Sequence, residues 1–172
     1  VPKAQFDWSE NFKVDNSCLN YLLTNAASTR AAIDRLDSFL FSDTIERNIG
    51  FSFDEADQSQ VELAAKMADV HENIIDFKDG YETILGERGV TVSGGQKKRI
   101  SIARALMKNA PVLILDDSVS AVDTKTERII LDNLKKQTGR TILLIAHRIS
   151  TVEEMDKIIF LDDGEVKAVG PH

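Results

Sequence analysis

Two short, mostly apolar runs with a helix-patterned stretch between them constrain this chain more than any other feature. Val112-Leu113-Ile114-Leu115 lies between Pro111 and Asp116, and Thr141-Ile142-Leu143-Leu144-Ile145 comes later in the chain. Continuous apolar runs suit strands buried on both faces of a parallel sheet. Parallel neighbours need a crossover connection, usually a helix. The segment from Lys125 to Lys136, ending before Gly139, supplies one, so the two strands are predicted to be parallel neighbours in a βαβ unit. A third run, Lys157-Ile158-Ile159-Phe160-Leu161, has the same pattern and is predicted to be buried likewise. Glu165 to Val169 alternates polar and apolar residues after Asp163-Gly164, the pattern of a hairpin edge.

Before Val112 the signals are helical. Leu19, Leu22, Leu23 and Ala26 recur at helical spacing after candidate caps at Asp15, Asn16 and Ser17, and Ile33, Leu36 and Leu40 continue a stripe, which predicts helix from Asn16 to Phe41. Val61, Ala64, Ala65 and Ala68 share one face of a helix predicted from Glu55 to Asp69. Another is predicted after Gly95, ending at Lys108 before Asn109 and Pro111. Ser42 or Asp43 is placed to cap a short helix with Glu46 in its first turn. No glycine precedes Gly50, and all nine fall in the remainder.

Composition excludes several classes. Hydrophobic residues make up 42% of the 172, enough for a packed core. A net charge of −7 opposes a nucleic-acid surface, which needs clustered Lys and Arg. Cys18 is the only cysteine, so no disulfide framework exists and a reducing compartment is expected. No apolar run reaches the roughly 18 residues that suggest a membrane span. The first ten residues do not resemble a signal peptide. Numbering from Val1 without Met suggests a fragment or processed product.

Three places carry chemistry. In Val92-Ser93-Gly94-Gly95-Gln96, adjacent glycines let backbone approach a ligand and Ser93 adds a hydroxyl. A helix opens immediately after, so its free amides and dipole point at the same spot, which makes an anion site. Taken alone, Ser-Gly-Gly favours a flexible turn before a helix over an anion site. Asp116-Asp117 end an apolar strand, where α/β sheets bind ligands, although a solvated acidic turn would read the same. His147 follows the Thr141–Ile145 strand, where an imidazole can donate to a phosphate or position water; a lone His is otherwise structural. His71 and His172 are read as surface or terminal residues, and Trp8 and Cys18 as packing or surface residues.

The order of these features resembles the ATPase domain of an ABC exporter. The run Val92 to Leu106 is similar to the ABC signature motif and its helix, with Val92 where the family has Leu. Val112 to Asp117 looks like a Walker B strand, Ser118-Val119-Ser120-Ala121-Val122-Asp123 like a D-loop, and His147 like the switch histidine. Ile84 to Gly89 resembles the exporter loop that touches transmembrane domains, and Phe39 to Ile49 matches exporters at the start of the helical subdomain. The resemblance implies ATP as ligand, contacted by Ser93, Gly94, Gly95, Gln96, Ser120 and Asp123, and Mg2+ held by Asp116. It implies catalytic roles for Asp117 and His147, with Asp117 standing where the family usually carries a general-base Glu one methylene longer. That shortening resembles the degenerate half of heterodimeric exporters. The implied partners are a second, different ABC ATPase chain and the transmembrane domains, at the cytoplasmic face of the cell membrane, with this piece itself soluble.

One motif is missing. A P-loop needs Gly-x-x-x-x-Gly-Lys-Ser/Thr, and none of the twelve lysines follows a glycine. Leu36 stands where the family places a Gln before its Phe-Leu-Phe-Ser segment. The expected fold class is therefore α/β. It combines a partial, P-loop-NTPase-like parallel sheet (residues 109–172), an ABC helical subdomain (residues 39–108) and an unmatched helical segment (residues 1–38). Two functions follow: a piece of an exporter ATPase, inactive alone, or a non-catalytic interaction module that keeps the fold.

Overall fold

The structure is a computed structural model, and it describes residues 39–86, 92–116, 122–137, 139–153 and 155–171. The helical part comes first: α1 (Ile45–Ile49), α2 (Gln58–Met67), α3 (His71–Ile75), a 3-10 turn (Gly80–Glu82) and α4 (Gly94–Met107). The mixed part follows: β1 (Val112–Asp116), α5 (Thr124–Lys135), β2 (Thr141–Ile145), α6 (Ile149–Val152), β3 (Ile158–Asp162) and β4 (Glu165–Gly170).

The helices start where side chains satisfy their first amides. Asp57 accepts from Ser59 N at 3.0 Å and opens α2 two residues inside the predicted start. The cap of α1 is Thr44, not Ser42 or Asp43: its Oγ1 accepts from Arg47 N at 3.1 Å. The chain is still extended at Thr44 because Thr44 bridges Ile84 and the Asp43 carbonyl accepts from Leu85 N at 3.0 Å. Phe39–Phe41 is not helical, which shortens the helix expected through Phe41; residues 16–38 of that helix lie outside the described residues. α3 and the 3-10 turn were not anticipated. There His71, read from sequence as a surface residue, is half-buried with Nδ1 2.9 Å from the Tyr81 hydroxyl. Burial, with Glu62 and Glu72 nearby, pushes the Tyr81 phenol well above its usual range.

Small residues on α2 (Ala64, Ala65) let α4 pack closely against it, with Ile100, Ala103 and Leu106 facing the same core. At the centre of this packing Asn48 is 0% exposed and uses its whole amide. Its Oδ1 accepts from Phe41 N and Arg104 Nη2, both at 2.8 Å. Its Nδ2 donates to the carbonyls of Phe41, Asp43 and Thr44 at 3.0, 3.3 and 2.9 Å. Arg104 also donates from Nε to Asn48 O at 2.7 Å and from Nη1 to Phe39 O at 3.0 Å. Burial holds its guanidinium below the usual arginine value, and the rings of Phe41 and Phe51 lie 5.2 and 5.8 Å away. Arginine stays charged even so, and the ring faces favour that charge.

β1 and β2 are parallel, in register from Val112↔Thr141 to Asp116↔Ile145, with α5 in the connection, as the apolar runs predicted. Leu113 and Leu115 share a core with Ile130, Leu131 and Leu134 of α5. Burial on both faces is corrected: Val112, Ile114 and Leu143 point away from that core and are about half exposed (53%, 57% and 48%). Lys157–Leu161 is corrected too. It gives β3, which pairs antiparallel with β4 in a separate two-stranded sheet and is largely exposed. Asp163 (φ 49°) and Gly164 (φ 75°) explain this, because two positive-φ residues make the tight turn whose twist suits a hairpin. That turn delivers β4 as the nearest partner before any longer-range pairing is needed.

Replacing Asn48 by Ala orphans several buried backbone groups and the Arg104 guanidinium, so unfolding free energy should fall by about 2–3 kcal/mol. Arg47→Ala removes only an exposed 3.6 Å contact to Asp43 and should cost under about 0.5 kcal/mol. Urea unfolding measures both; equal shifts would contradict the central role of Asn48.

Candidate functional site

The first locus is the start of α4. Ser93 caps the helix with extended backbone, its Oγ accepting from Gln96 N at 3.2 Å while Gln96 Oε1 accepts from Ser93 N at 2.9 Å. This reciprocal pair fixes the turn and settles the local ambiguity between a loose loop and a helix start. The Ser93 hydroxyl accepts within the cap, so its own hydrogen is free to be aimed outward. The amides of Gly94 and Gly95, in the first turn, have no intrahelical acceptor. A Cβ built on Gly94 meets nothing within 4 Å, so internal crowding does not require glycine there. Helix dipole and open amides together suit an anion, and Lys97, Lys98 and Arg99 follow at once.

The second locus is the carboxyl edge of β1 and β2. The parallel register sets Asp116 opposite Ile145, so Asp116 and, two residues past Ile145, His147 belong to one edge of the sheet. Asp116 is half-buried and His147 exposed. Among the described residues no three His, Cys, Asp or Glu side chains converge on a metal site. A single strand-end carboxylate still fits Mg2+, which keeps several waters and takes its remaining oxygens from substrate phosphates.

Asp123 joins neither locus directly. Its Oδ1 accepts from Lys125 N and Thr126 N, both at 3.1 Å, and caps α5. Asp117 and Ser120 lie outside the described residues. Sequence reasoning missed Glu127, which is 3% exposed on α5. It accepts from Arg148 Nη1 at 3.2 Å and from the Thr151 hydroxyl. A signal was present: Glu127, Ile130, Leu131 and Leu134 are spaced i, i+3, i+4, i+7, which puts a carboxylate on the buried stripe.

The Thr126 amide, with the Thr126 hydroxyl and the Lys125 amide adding to it, holds the Asp123 carboxyl below its usual value. A depressed folded pKa stabilises above the unfolded value and that contribution is lost as pH falls through the folded one. Asp123→Asn keeps a capping side chain but cannot titrate. Its helical circular dichroism should match the parent at neutral pH and show a flatter acid limb below about pH 4. Identical acid limbs would contradict the cap.

Comparison with known proteins agrees with this geometry. The ABC transporter family model matches residues 9–120, so the match starts inside the segment for which sequence reading found no counterpart. The multidrug resistance-like ATP-binding protein MdlA of Escherichia coli K12 is 44% identical over 172 residues, covering 99% of this chain and 29% of that protein. A putative multidrug export ATP-binding/permease protein of Staphylococcus aureus NCTC 8325 is 40% identical over 175 residues, covering 100% of this chain and 30% of its own length. The solved structure of a bacterial Atm1-family ABC exporter with ATP bound superposes with a TM-score of 0.75 at 44% identity, over 79% of this chain and 24% of that one. The chain thus spans about three-tenths of the length of these curated relatives. It belongs to the ABC transporter family and has the fold of its ATPase domain.

Proposed function

We propose that this chain is part of the ATP-binding domain of an ABC exporter of multidrug or lipid type, and that it presents the Ser93–Gln96 turn to the phosphates of ATP. The observation that carries this is the α4 start: a closed capping box holding two open glycine amides at the head of a 14-residue helix. In this reading Ser93, Gly94, Gly95 and Gln96 contact a nucleotide whose other side is held by a second ABC ATPase domain, a different chain. Ser120 and Asp123 belong to the segment that meets that partner. Bound Mg2+ would offset phosphate charge, with Asp116 as its carboxylate. Asp117 occupies the general-base position but is one methylene short of the attacking water, and His147 donates to the terminal phosphate or orients that water. Transmembrane domains of the exporter are the other partner, at the cytoplasmic face of the membrane. No helix among the described residues is long and apolar enough to cross a membrane.

Phosphoryl transfer depends on positioning and charge stabilisation, much of it from a P-loop. This chain has no Gly-Lys-Ser/Thr, so by itself it should release phosphate no faster than a buffer blank. The reading is tested in a chimera, in which residues 39–171 replace the matching stretch of the full-length Escherichia coli relative. Gly94→Asp is the informative variant. Space around Gly94 is open and an acidic residue favours a helix start, so folding should be unharmed. The carboxylate would stand where phosphate goes, and turnover should fall by about 10²-fold or more. Undiminished ATPase activity with Gly94→Asp would favour the non-catalytic module. Asp117→Glu should raise turnover by about tenfold or more, since it restores reach to the water, with little loss for Asp117→Asn. A large loss with Asn and no gain with Glu would show that Asp117 already catalyses at full reach.

A further inference from the structure

We infer that Glu127 is a positioning residue that fixes where His147 stands by gripping the chain directly after it. This rests on the role for His147 proposed above. Ala146 and His147 form a short span between two held points. On one side Ile145 is paired with Asp116 in the parallel register. On the other, Arg148 donates from Nη1 to Glu127 Oε2 at 3.2 Å, and the Thr151 hydroxyl donates to Glu127 Oε1. The second point depends on Glu127 because α6 cannot hold itself. It is a four-residue turn, and Arg148 before it gives no side-chain cap. A single helical turn is unfavourable unless other contacts support it.

The burial of Glu127 points the same way. The carboxylate is 3% exposed and lies on the stripe that also carries Ile130, Leu131 and Leu134. An apolar side chain would serve packing there without the cost of a buried charge. What the carboxylate adds is two directed bonds to residues one and four positions after His147. Glu127 is the buried partner while the Arg148 side chain is half exposed, so the pair contributes little to stability, and fixing one arrangement is the use that remains. His147 itself is exposed, so its neighbours, not its own packing, set its place.

Glu127→Gln keeps the shape and an oxygen for Thr151 but removes the charge that holds Arg148. In the chimera, kcat should fall about 10- to 100-fold, with KM for ATP within about twofold of the parent. The same loss should be absent in a His147→Ala background, because both act through one imidazole. In the whole 172-residue chain, the His147 imidazole carbon–proton signal should shift in Glu127→Gln, and in Arg148→Met similarly. A lowered melting temperature with kcat and the His147 signal unchanged would overturn the inference and leave Glu127 as a staple for α6. An additive loss in the His147→Ala background would also overturn it. If His147→Ala alone leaves kcat intact, the reading of His147 has failed. The imidazole signal then decides placement separately: a shift upholds the grip by Glu127, and no shift overturns it.

Discussion

The bond set between Asn48 and Arg104 is the constraint on which the helical subdomain depends. Arg104 brings a cation into the core and Asn48 an amide that is 0% exposed, and each satisfies the other. Through them the non-helical Phe39–Phe41 segment, α1 and α4 meet at one point. A buried polar network is tolerated when every member is paired and is costly when one is missing. The geometry gives the node reach. Ten residues separate Arg104 from Gly94 on a continuous helix, about 15 Å at the usual rise. Fixing the later turns of α4 therefore fixes the direction in which the Ser93 turn is offered. The open amides of Gly94 and Gly95 are useful to an anion only if that direction is set.

The sheet locus is oriented differently. Its direction comes from the register of β1 and β2, which places Asp116 opposite Ile145 and puts the chain leading to His147 at the same edge. Only one face of this pair meets the α5 core, through Leu113 and Leu115. The other face presents Val112, Ile114 and Leu143 at about half exposure. Apolar runs with no polar alternation normally occur where both faces are covered. The sequence pattern is thus that of a strand inside a larger sheet, while the described residues supply one covering layer. This agrees with a chain that spans about three-tenths of its curated relatives.

What could be read from sequence was what is written locally. The runs at 112–115 and 141–145 gave parallel strands, and the helix starting near Gly95 and the crossover helix were placed to within a residue or so, because caps and periodicity are neighbour effects. The helix start after Ser93 was legible for the same reason, although the capping box that joins Ser93 to Gln96 is seen only in the structure. Reading failed where the deciding partner is distant. Ser42 or Asp43 seemed the better cap on composition, but the strand-like bridge from Thr44 to Ile84 keeps the chain extended one residue longer. The hairpin edge at Glu165–Val169 is written locally, in Asp163-Gly164; for Lys157–Leu161 it is the burial that is misread, since β3 is largely exposed. Asn48 and Arg104 look like ordinary surface polar residues in a one-dimensional reading, and the stripe that buries Glu127 does not name what its carboxylate meets. Their partners are up to 65 positions away, and no local rule supplies that distance.

The two polar nodes share a physical logic. Asn48 with Arg104, and Glu127 with Arg148 and Thr151, each lie where an element that presents a candidate site residue joins the body of the fold. Apolar packing would hold these junctions as firmly, but it is non-directional and admits small slips and rotations. Hydrogen bonds with fixed partners do not, because a displaced donor leaves a buried acceptor unpaired at a cost of about 1–3 kcal/mol. The penalty falls on wrong arrangements more than it rewards the right one. A phosphate contact needs such discrimination, since its strength depends on donors standing in place before the charge arrives. The apolar core of this chain decides that it folds. The polar contacts of Asn48 with Arg104, and of Glu127 with Arg148 and Thr151, fix the directions in which the start of α4 and the segment after β2 are held.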